Sequence, residues 1–376
     1  MKKTRVAVAM SGGVDSSVAA FLLKEKGFDV FGITMLIRRN ENDIVDARRI
    51  ASQLKIPFQT INLVKEFKNN VIDYFCGEYL RGATPNPCII CNEKIKFGYL
   101  LDYAKTLGMD YIATGHYAKN YFNKEANRFA IKKGKDRTKD QSYVLFPLTQ
   151  NQLKHIIFPL SDLTKEEVRK IAKENGLITA KKKESQEICF IPDNDYPKFI
   201  SQNPPIFPFG KGGLKGDLTE GLILDIDGKI LGRHKGIYHY TIGQRKGLGI
   251  ASPYPLYVLK IDVKKNEILV GKDEDLYQKE FIAENVNWQA IDELKKPISV
   301  KTKIRYKFEE EKAKVFPVDG KKARVEFLKP QRAITPGQAV VFYKRDMVVG
   351  GGWIAEAESE GFRHSRAGGN PVIQRP

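Results

Sequence analysis

The stretch that most constrains this chain is a short apolar run, Val6-Ala-Val-Ala-Met10, followed at once by Ser11-Gly-Gly-Val-Asp-Ser16. A β-branched run that breaks at two glycines and resumes at helical spacing predicts a strand, a turn and a helix, the first unit of an open α/β sheet. The first amide N–H groups of such a helix have no partner within it, and the positive end of the helix dipole faces the turn. The turn is therefore predicted to bind an anion, with phosphate as the best fit.

Two common phosphate loops do not match this turn. A Walker A loop would end in Gly-Lys-Ser/Thr, and the glycines here do not follow the Gly-x-Gly-x-x-Gly pattern. A double glycine with Ser11 as a helix cap would by itself indicate only a turn. Six residues in register between a strand and a helix favour the functional interpretation.

Length and charge bound the rest of the chain. A chain of 376 residues exceeds what one hydrophobic core usually serves, so we expect two or three domains. Lysine and arginine number 63 against 45 acidic residues, which gives a net charge of +18. Such an excess attracts polyanions, with nucleic acid first and a membrane surface second, although a generally basic proteome would produce the same charge.

The apolar runs and the cysteines indicate where the protein works. Each apolar run is far shorter than a transmembrane helix, so we expect no membrane association and a soluble, cytoplasmic protein. Four cysteines are too few for a disulfide scaffold in so long a chain. Any disulfide here is predicted to form as part of the protein's chemistry rather than to stabilise the fold.

Strand and helix patterns alternate through the first two hundred residues, which predicts a parallel sheet. Ligands gather at the carboxyl ends of such strands, so Gly115 and His116 are expected beside the Ser11 turn. His116 is open to three interpretations: a general acid or base, a hydrogen-bond donor to substrate, or a capped surface histidine. The patterns predict strands at Asp29–Leu36, Phe58–Val64 and Asp110–His116, and helices at Asp43–Leu54 and Thr164–Gly176.

A CxxC pair opens another predicted helix. The stiff turn Thr84-Pro-Asn-Pro87 launches a helix from Cys88 to Leu107, which places Cys88 and Cys91 on one face of its first turn. The helix N-terminus and the nearby Lys94 and Lys96 predict a lowered thiol pKa. The pair fits a zinc half-site, a redox pair, or a nucleophile with a neighbour, and zinc is the weakest because two further ligands of suitable spacing are missing.

The other two cysteines differ in setting. Cys76 lies in an apolar stripe at helical spacing and is predicted to pack in the core. Cys189, within Ile188-Cys-Phe-Ile191, would by default also be buried as a small hydrophobe. The lysine run Lys181-Lys-Lys183 just upstream weakens that default and favours a chemical role.

After a Pro- and Gly-rich linker at 203–213 the pattern becomes all β. Turns at Asp227-Gly228 and Asp319-Gly320 favour two small β modules rather than one. In the second module basic residues alternate with apolar ones between Lys301 and Lys307, which suits a nucleic-acid backbone, although a solvated strand face has the same pattern. The tail from Ser359 lacks periodicity and is predicted to be disordered.

Six separated stretches of the chain form recognisable motifs. They are Met10-Ser-Gly-Gly-Val-Asp-Ser-Ser17, Thr84-Pro-Asn-Pro-Cys-Ile-Ile-Cys-Asn92, Ala113-Thr-Gly-His-Tyr117, Lys139-Asp-Gln-Ser-Tyr143, Ile188-Cys-Phe-Ile191 and Tyr240-Thr-Ile-Gly-Gln-Arg-Lys-Gly-Leu-Gly249. Together they resemble one family, the tRNA-specific 2-thiouridylases, within the PP-loop ATP pyrophosphatase superfamily. The resemblance runs from about Met1 to Glu356 and keeps the order of the motifs.

The resemblance implies ATP-dependent thiolation at C2 of the wobble uridine of tRNA, with Mg²⁺ accompanying the nucleotide and without a metal site of the protein's own. It implies that Cys91 is the nucleophile and that Cys189 carries a persulfide, which leaves a transient disulfide between them. Sulfur would come from a relay protein or a cysteine desulfurase. The implied ATP site comprises Ala9, Met10, Ser11, Gly12, Gly13, Val14, Asp15, Ser16, Met35 and Gly115.

The resemblance also implies how tRNA is held. The loop Asn86, Pro87 and Cys88 would meet the target base, which must leave its stack. Three departures qualify the match: Ala9 replaces a frequent glycine, Cys88 replaces an aspartate of some members, and the linker near 207–216 is long. The implied tRNA contacts are His116, Lys139, Asp140, Gln141, Arg305, Tyr306 and Gln338.

We therefore predict an open parallel PP-loop domain at 1–203, a small β domain at 204–275, a tRNA-binding β-barrel at 276–357 and a disordered tail at 358–376. Two other functions share part of the pattern. Another PP-loop adenylating enzyme, such as an argininosuccinate synthetase or a different tRNA sulfurtransferase, would share the first motif only. A non-catalytic tRNA-binding protein would share the basic barrel but would not require Cys91.

Overall fold

The computed structural model describes residues 3–38, 42–182, 188–191, 194–204, 219–318 and 320–355. Most of the predicted linker and the whole predicted disordered tail lie outside these residues. Within them, no helix is both long and apolar enough to cross a membrane.

Five parallel strands form the first sheet in the order β3-β2-β1-β4-β7, which confirms the predicted open parallel sheet. The chain adds β2 and β3 on one side of β1 and later strands on the other. This reversal leaves a crevice at the carboxyl ends of β1 and β4, where ligands bind in such sheets. The strands are β1 (Arg5–Ala9), β2 (Asp29–Leu36), β3 (Phe58–Asn62), β4 (Tyr111–Ala113) and β7 (Ile156–Ile157).

Helices cover both faces of this sheet, and several begin where the sequence predicts. Thr164 caps α8 through a capping box with Glu167, as predicted, and Gly176 follows the helix with a φ of 60°. The helices are α1 (Val14–Glu25), α2 (Asn42–Gln53), α3 (Val64–Phe67), α4 (Asp73–Leu80), α5 (Pro87–Ile90), α6 (Leu100–Thr106), α7 (Gln150–Leu153), α8 (Lys165–Glu174) and α9 (Tyr196–Gln202). Short 3₁₀ turns lie at Ser142–Leu145, Ile237–His239 and Asp273–Leu276.

The helix predicted from Cys88 to Leu107 differs from a regular α-helix. Its middle, Cys91–Tyr99, is π-helical and joins α5 to α6, and a second π-helical segment, Lys68–Ile72, joins α3 to α4. The side-chain amide of Gln152 donates to the carbonyls of Glu93 at 3.0 Å and Phe97 at 2.8 Å. A side chain bound to the helix carbonyls in this way displaces the regular backbone ladder, which a helical sequence pattern does not reveal.

A four-stranded sheet in the order β10-β11-β8-β9 follows the first domain. Its first hairpin turns at Asp227-Gly228, as predicted, with Gly228 at a φ of 83°. The strands are β8 (Gly221–Leu224), β9 (Ile230–His234), β10 (Tyr257–Asp262) and β11 (Glu267–Gly271).

The last module is a barrel of six strands in the order β12-β15-β14-β13-β16-β17, closed by pairing of β12 with β17. The hairpin that follows β4, made of β5 (Ala118–Asn123) and β6 (Arg128–Lys133), joins this sheet where Lys132 pairs with Met347. The sequence pattern does not indicate that this hairpin joins the barrel. The barrel strands are β12 (Tyr277–Trp288), β13 (Ile298–Lys303), β14 (Glu311–Val318), β15 (Lys322–Arg332), β16 (Ala339–Lys344) and β17 (Met347–Ile354).

Apolar packing also joins the barrel to the first domain. Tyr143 and Phe146 belong to the same buried cluster as Val341 and Tyr343 of β16. The Tyr143 hydroxyl donates to the carbonyl of Ala339 at 2.8 Å. Because these side chains are fully or almost fully buried, moving the barrel away would expose a large apolar area to water. The barrel is therefore held in a defined position beside the crevice.

Candidate active site

The turn at 11–16 lies between β1 and α1, at the crevice of the first sheet. Gly12 has a φ of 69°, a conformation that favours glycine, and Gly13 is the N-cap of α1. The backbone N–H of Ser11 donates to the Ser16 hydroxyl at 3.2 Å, and that hydroxyl donates to the Gly13 carbonyl at 3.1 Å. These bonds fix the turn while the first amides of α1 face the crevice, as an anion site requires.

Gly115 closes the other side of the turn. A Cβ at this position would lie 2.8 Å from the backbone carbon of Asp15 and 2.9 Å from the nitrogen of Ser16. Only glycine therefore fits where the end of β4 meets the start of α1. Of the other predicted ATP residues, Met10 follows β1 and is buried in an apolar cluster, its carbonyl accepts from the Thr34 hydroxyl at 2.6 Å, and Met35 is half-buried near the end of β2.

The acidic residue of the turn is neutralised from within the protein. The Lys165 ammonium lies 2.7 Å from both carboxylate oxygens of Asp15, and its side chain is only 9% exposed. The Tyr117 hydroxyl donates to the same carboxylate at 2.7 Å. The sequence does not indicate which group offsets the Asp15 charge, and in the structure Lys165 does so. The sequence did not single out Lys165, because a lysine in the first turn of a capped helix is normally exposed to solvent.

A second lysine reaches the turn from a distant segment. The Lys182 ammonium donates to the Gly12 carbonyl at 3.0 Å and lies 2.7 Å from a carboxylate oxygen of Asp46. From the sequence, the lysine run at 181–183 is expected to act on Cys189. The structure instead places Lys182 at the phosphate end of the crevice.

Two of the cysteines that are far apart in sequence share one pocket. Cys91 packs in an apolar cluster with Ile188, Phe190 and Ile191, the neighbours of Cys189. Cys189 is also among the groups that raise the pKa of Cys91, after burial, which is the largest cause. The fold thus packs Cys91 against the residues on either side of Cys189, and the joint action of the two thiols stays a prediction.

The thiol pKa values differ from the sequence prediction. Burial raises the pKa of Cys91 to about 12, while Lys96 lowers it and Cys189 and Cys88 raise it further. Burial also raises the pKa of Cys88 and Cys189, although both side chains reach solvent. The predicted lowering was wrong because desolvation outweighs the helix N-terminus and the nearby lysine. The pocket therefore keeps its thiols protonated in this state.

The two lysines that follow Cys91 have different positions. Lys96 lowers the pKa of all three pocket thiols, so its ammonium faces the pocket. Lys94 lies 2.7 Å from Glu93 in an exposed pair. In an α-helix the residue five positions on is rotated by about 140°, whereas the i→i+5 bonding of a π-helix brings it back toward the same face. The π-helical segment thereby places Lys96 on the face of Cys91.

The barrel holds the loop that precedes Cys88. The Gln338 amide donates to the Thr84 carbonyl at 2.8 Å, and the backbone N–H of Thr84 donates to the Pro336 carbonyl at 2.9 Å. Gly337 lies so close that a Cβ would be 2.8 Å from that of Ala83. Gln338, expected to contact tRNA, therefore also fixes the loop of Asn86, Pro87 and Cys88.

Arg305 and Tyr306 lie in the turn after β13, not on the alternating strand that the sequence predicts, because β13 ends at Lys303. Burial, Asp140 and Cys88 raise the pKa of Tyr306, which places its ring near the Cys88 thiol. The Lys303 ammonium lies 5.7 Å from the ring centre of Tyr306. This barrel turn thus borders the base-loop side of the thiol pocket.

The remaining predicted tRNA contacts are used in internal bonds. His116 is buried, its Nδ1 lies 2.7 Å from the Thr114 hydroxyl, and burial holds the pKa of His116 well below its usual range. Asp140 accepts from the backbone of Ser142 at 3.2 Å, and Gln141 accepts from that of Tyr117 at 2.9 Å. Lys139 is half-buried beside them. These residues shape the crevice, and the buried His116 contacts tRNA only if the protein opens.

Cys76 behaves as predicted. Its side chain is fully buried in an apolar cluster, and burial raises the pKa of its thiol to about 12. Across the described part of the chain, no group of three or more His, Cys, Asp or Glu side chains is arranged to hold a metal ion.

Comparison with known proteins places these features in a family. Family models match three consecutive segments: a tRNA methyl transferase HUP domain at 4–193, a tRNA methyl transferase PRC-barrel domain at 215–272 and an aminomethyltransferase β-barrel domain at 278–354. The chain is similar along nearly its whole length to curated proteins named tRNA-specific 2-thiouridylase MnmA.

Three of these relatives show the extent of the similarity. The protein from Thermoanaerobacter pseudethanolicus is 51% identical over 364 residues, which is 93% of this chain and 97% of the relative. The protein from Acetivibrio thermocellus is 47% identical over 94% of this chain and 100% of the relative. The protein from Clostridium acetobutylicum is 47% identical over 93% of this chain and 99% of the relative.

Proposed function

This chain belongs to the tRNA-specific 2-thiouridylase family, and from that premise we propose that it replaces oxygen by sulfur at C2 of the wobble uridine of tRNA, using ATP. It is an enzyme, a sulfurtransferase. The observation that carries the proposal is the presence, in one fold, of a preformed anion turn and of a pocket shared by Cys91 and Cys189.

ATP would solve the first chemical problem. A C2 carbonyl is a poor electrophile with a poor leaving group, so transfer of AMP onto its oxygen makes that oxygen leave as AMP. The amides at the start of α1 suit the departing pyrophosphate, because fixed dipoles stabilise developing negative charge without reorganisation. The residues that carry this step are those of the turn at 11–16, with Gly115 keeping the turn and β4 in contact.

Sulfur delivery would then use two thiols. The terminal sulfur of a persulfide on Cys189 bonds to C2 as AMP leaves. The Cys91 thiolate attacks the Sγ atom of Cys189, the persulfide S–S bond breaks, and the sulfur stays on the base. A Cys91–Cys189 disulfide remains, and two thiol equivalents must reduce it before the next cycle. Lys96 favours the thiolate form of Cys91 when the pocket has to generate it.

Magnesium is expected with the nucleotide phosphates, where it would screen their charge. The residues of the turn do not form a site for it, because the Asp15 carboxylate is already bound by Lys165 and Tyr117.

The proposal also assigns regions and partners. ATP chemistry belongs to residues 1–203 and tRNA binding chiefly to 276–357, with the small β domain at 204–275 between them. A sulfur-relay protein or a cysteine desulfurase would load Cys189, whose exposed side chain such a donor can reach. The reaction would take place in the cytoplasm, where thiols stay reduced.

The test is mass spectrometry of nucleosides from tRNA incubated with the protein, ATP, Mg²⁺ and a sulfide donor. We expect 2-thiouridine at the wobble position with the wild-type protein and loss of at least a thousandfold in rate with Cys91→Ser or Cys189→Ser, since each removes a reacting atom. Cys76→Ala is the matched control, because that thiol is fully buried and takes no part in the proposed sulfur transfer.

Each alternative predicts a different result. Another adenylating enzyme would release pyrophosphate without thiolating tRNA. A non-catalytic tRNA-binding protein would bind tRNA and release no pyrophosphate. Full activity in either serine variant would overturn the two-thiol scheme, and a methylated uridine with S-adenosylmethionine would instead support the activity that the family models are named for.

A further inference from the structure

The pocket contains a third thiol that the two-thiol scheme does not use. Cys88 lies on α5, three residues before Cys91, so the two side chains project from the same face of one helical turn. Cα atoms at this spacing fall within the range that a disulfide spans. The Cys88 side chain reaches solvent, whereas that of Cys91 is only partly accessible.

Cys88 also lies near the persulfide carrier. Charge on Cys88 raises the pKa of both Cys189 and Cys91, so the thiol is within electrostatic range of each. The ammonium of Lys96 acts on all three thiols. The loop that carries Cys88 is fixed by the barrel through Gln338, so this arrangement does not depend on a free loop.

Cys189 has two conflicting tasks in the proposed cycle. It must accept a new persulfide from a donor protein, and its disulfide with Cys91 must first be reduced. Both reactions require access to one sulfur atom. A neighbouring thiol that takes over the disulfide would separate the two tasks.

We propose that Cys88 attacks the Cys91–Cys189 disulfide left by each turnover and moves the disulfide to the Cys88–Cys91 pair, which frees Cys189 for the next persulfide. This inference rests on the proposed function, because that reaction supplies the first disulfide. Cys88 is then a resolving cysteine, and the CxxC pair stores the oxidising equivalents until an external thiol reductant removes them.

The exchange balances without an added oxidant. Cys88 loses its proton, and its thiolate forms a bond to the Sγ atom of Cys91. The Cys91–Cys189 bond breaks, and Cys189 leaves as a thiolate that takes up a proton. One disulfide is consumed and one is formed. An external dithiol later supplies two electrons and two protons to the Cys88–Cys91 disulfide, and attack at the exposed Cys88 sulfur releases Cys91.

The first experiment needs no tRNA. Full-length protein is equilibrated in a buffer of reduced and oxidised glutathione, its free thiols are trapped with N-ethylmaleimide, and disulfides are mapped by mass spectrometry without reduction. We expect the wild-type protein to contain mainly Cys88–Cys91 with Cys189 alkylated, and Cys88→Ser to contain Cys91–Cys189. A wild-type protein in which Cys91–Cys189 is the main pair would overturn the proposal.

The second experiment follows turnover. Protein preloaded with persulfide on Cys189 is mixed with tRNA and ATP, and the disulfides are mapped over time. We expect Cys91–Cys189 to form first and Cys88–Cys91 to replace it. In Cys88→Ser, the steady-state rate at limiting dithiol should be at least threefold lower than the first-turnover rate of that variant. Cys76→Ala should show no such difference between its two rates.

Two outcomes separate the possible failures. If Cys88→Asp keeps the wild-type ratio of steady-state to first-turnover rate, the side chain acts as an acid or base and the exchange is wrong. If the wild-type protein does not thiolate tRNA but the glutathione experiment gives Cys88–Cys91, the proposed function fails while the thiol arrangement stands.

Discussion

The anion turn and the thiol pocket face the same reaction but are prepared in opposite ways. In the turn, the Ser16 hydroxyl, Lys165 and Gly115 fix the backbone and balance the Asp15 charge before any ligand arrives. In the pocket, burial opposes the charged form that the chemistry needs, and it raises the pKa of Cys91 to about 12.

This difference follows from what each region must do. Phosphates bring their own charge, so a rigid set of dipoles can wait for them at no cost in reactivity. A thiolate that is formed in advance would react with any electrophile or oxidant in the cell. Protonated thiols beside a lysine can be kept inactive until the activated base arrives. The molecule thus combines a preorganised anion turn with a thiol pocket whose cysteines stay protonated until they are needed.

The pH dependence of Cys91 alkylation tests directly whether the pocket keeps this thiol protonated. With a pKa of about 12, the thiolate fraction of Cys91 rises about tenfold per pH unit, so iodoacetamide labelling should rise about a hundredfold from pH 7 to pH 9. Timed labelling with peptide mass spectrometry measures the rate. Lys96→Met should slow it further, because Lys96 lowers the pKa of Cys91, while Lys94→Met serves as the control. A labelling rate that stops rising below pH 9 would mean that the Cys91 thiol is already ionised there, so the pocket would be preorganised as the turn is.

Lys165→Met tests the preorganised turn. Removing this ammonium leaves the Asp15 carboxylate, which is 32% exposed, with the Tyr117 hydroxyl but without the Lys165 charge, and we expect a loss of about 2 kcal/mol in the free energy of unfolding, roughly thirtyfold in the folding equilibrium. Urea unfolding measures it. Lys135→Met removes an exposed pair with Glu167 and should cost much less, because solvent screens that pair. Equal costs for the two variants would show that the turn is not built around Lys165.

Gly115→Ala tests whether close packing holds the turn. The added Cβ would meet the backbone of Asp15 at 2.8 Å, so α1 has to shift, and we expect ATP binding to weaken about tenfold. Isothermal titration with ATP gives the affinity. Gly232→Ala is the control, since the nearest atom to its Cβ is 3.7 Å away. Unchanged ATP affinity in Gly115→Ala would separate the turn from the nucleotide site.

Arg305→Ala should give the smallest effect, because Arg305 borders the pocket and also donates to the Arg332 carbonyl at 3.1 Å. We expect about a threefold loss of tRNA affinity and a shallower salt dependence, by about 0.7 in the slope of log K against log salt. Filter binding at several salt concentrations measures both. Lys279, paired with Glu326 at 3.5 Å, is the control residue. A salt slope identical to wild type would remove Arg305 from the tRNA surface.

Much of the fold was predictable from local patterns. The bounds of β2, the capping box at Thr164, the helix stop at Gly176 and the buried Cys76 all agree with the structure. Each depends on residues within about one or two turns of the chain, where turn chemistry and hydrophobic spacing decide the outcome. The ordered motifs also identified the family.

The sequence by itself determined that a glycine turn, a parallel sheet and four cysteines of unequal setting exist in this protein. Only the tertiary structure decided that Lys165 neutralises Asp15 and that Cys91 is desolvated rather than activated. It also decided that Gln152 binds the carbonyls of the π-helical segment, which directs Lys96 toward the thiols. The physical reason is that charge balance and burial depend on atoms contributed by segments far apart in the chain. Neighbouring residues do not encode which distant side chain will arrive or how much water it will exclude.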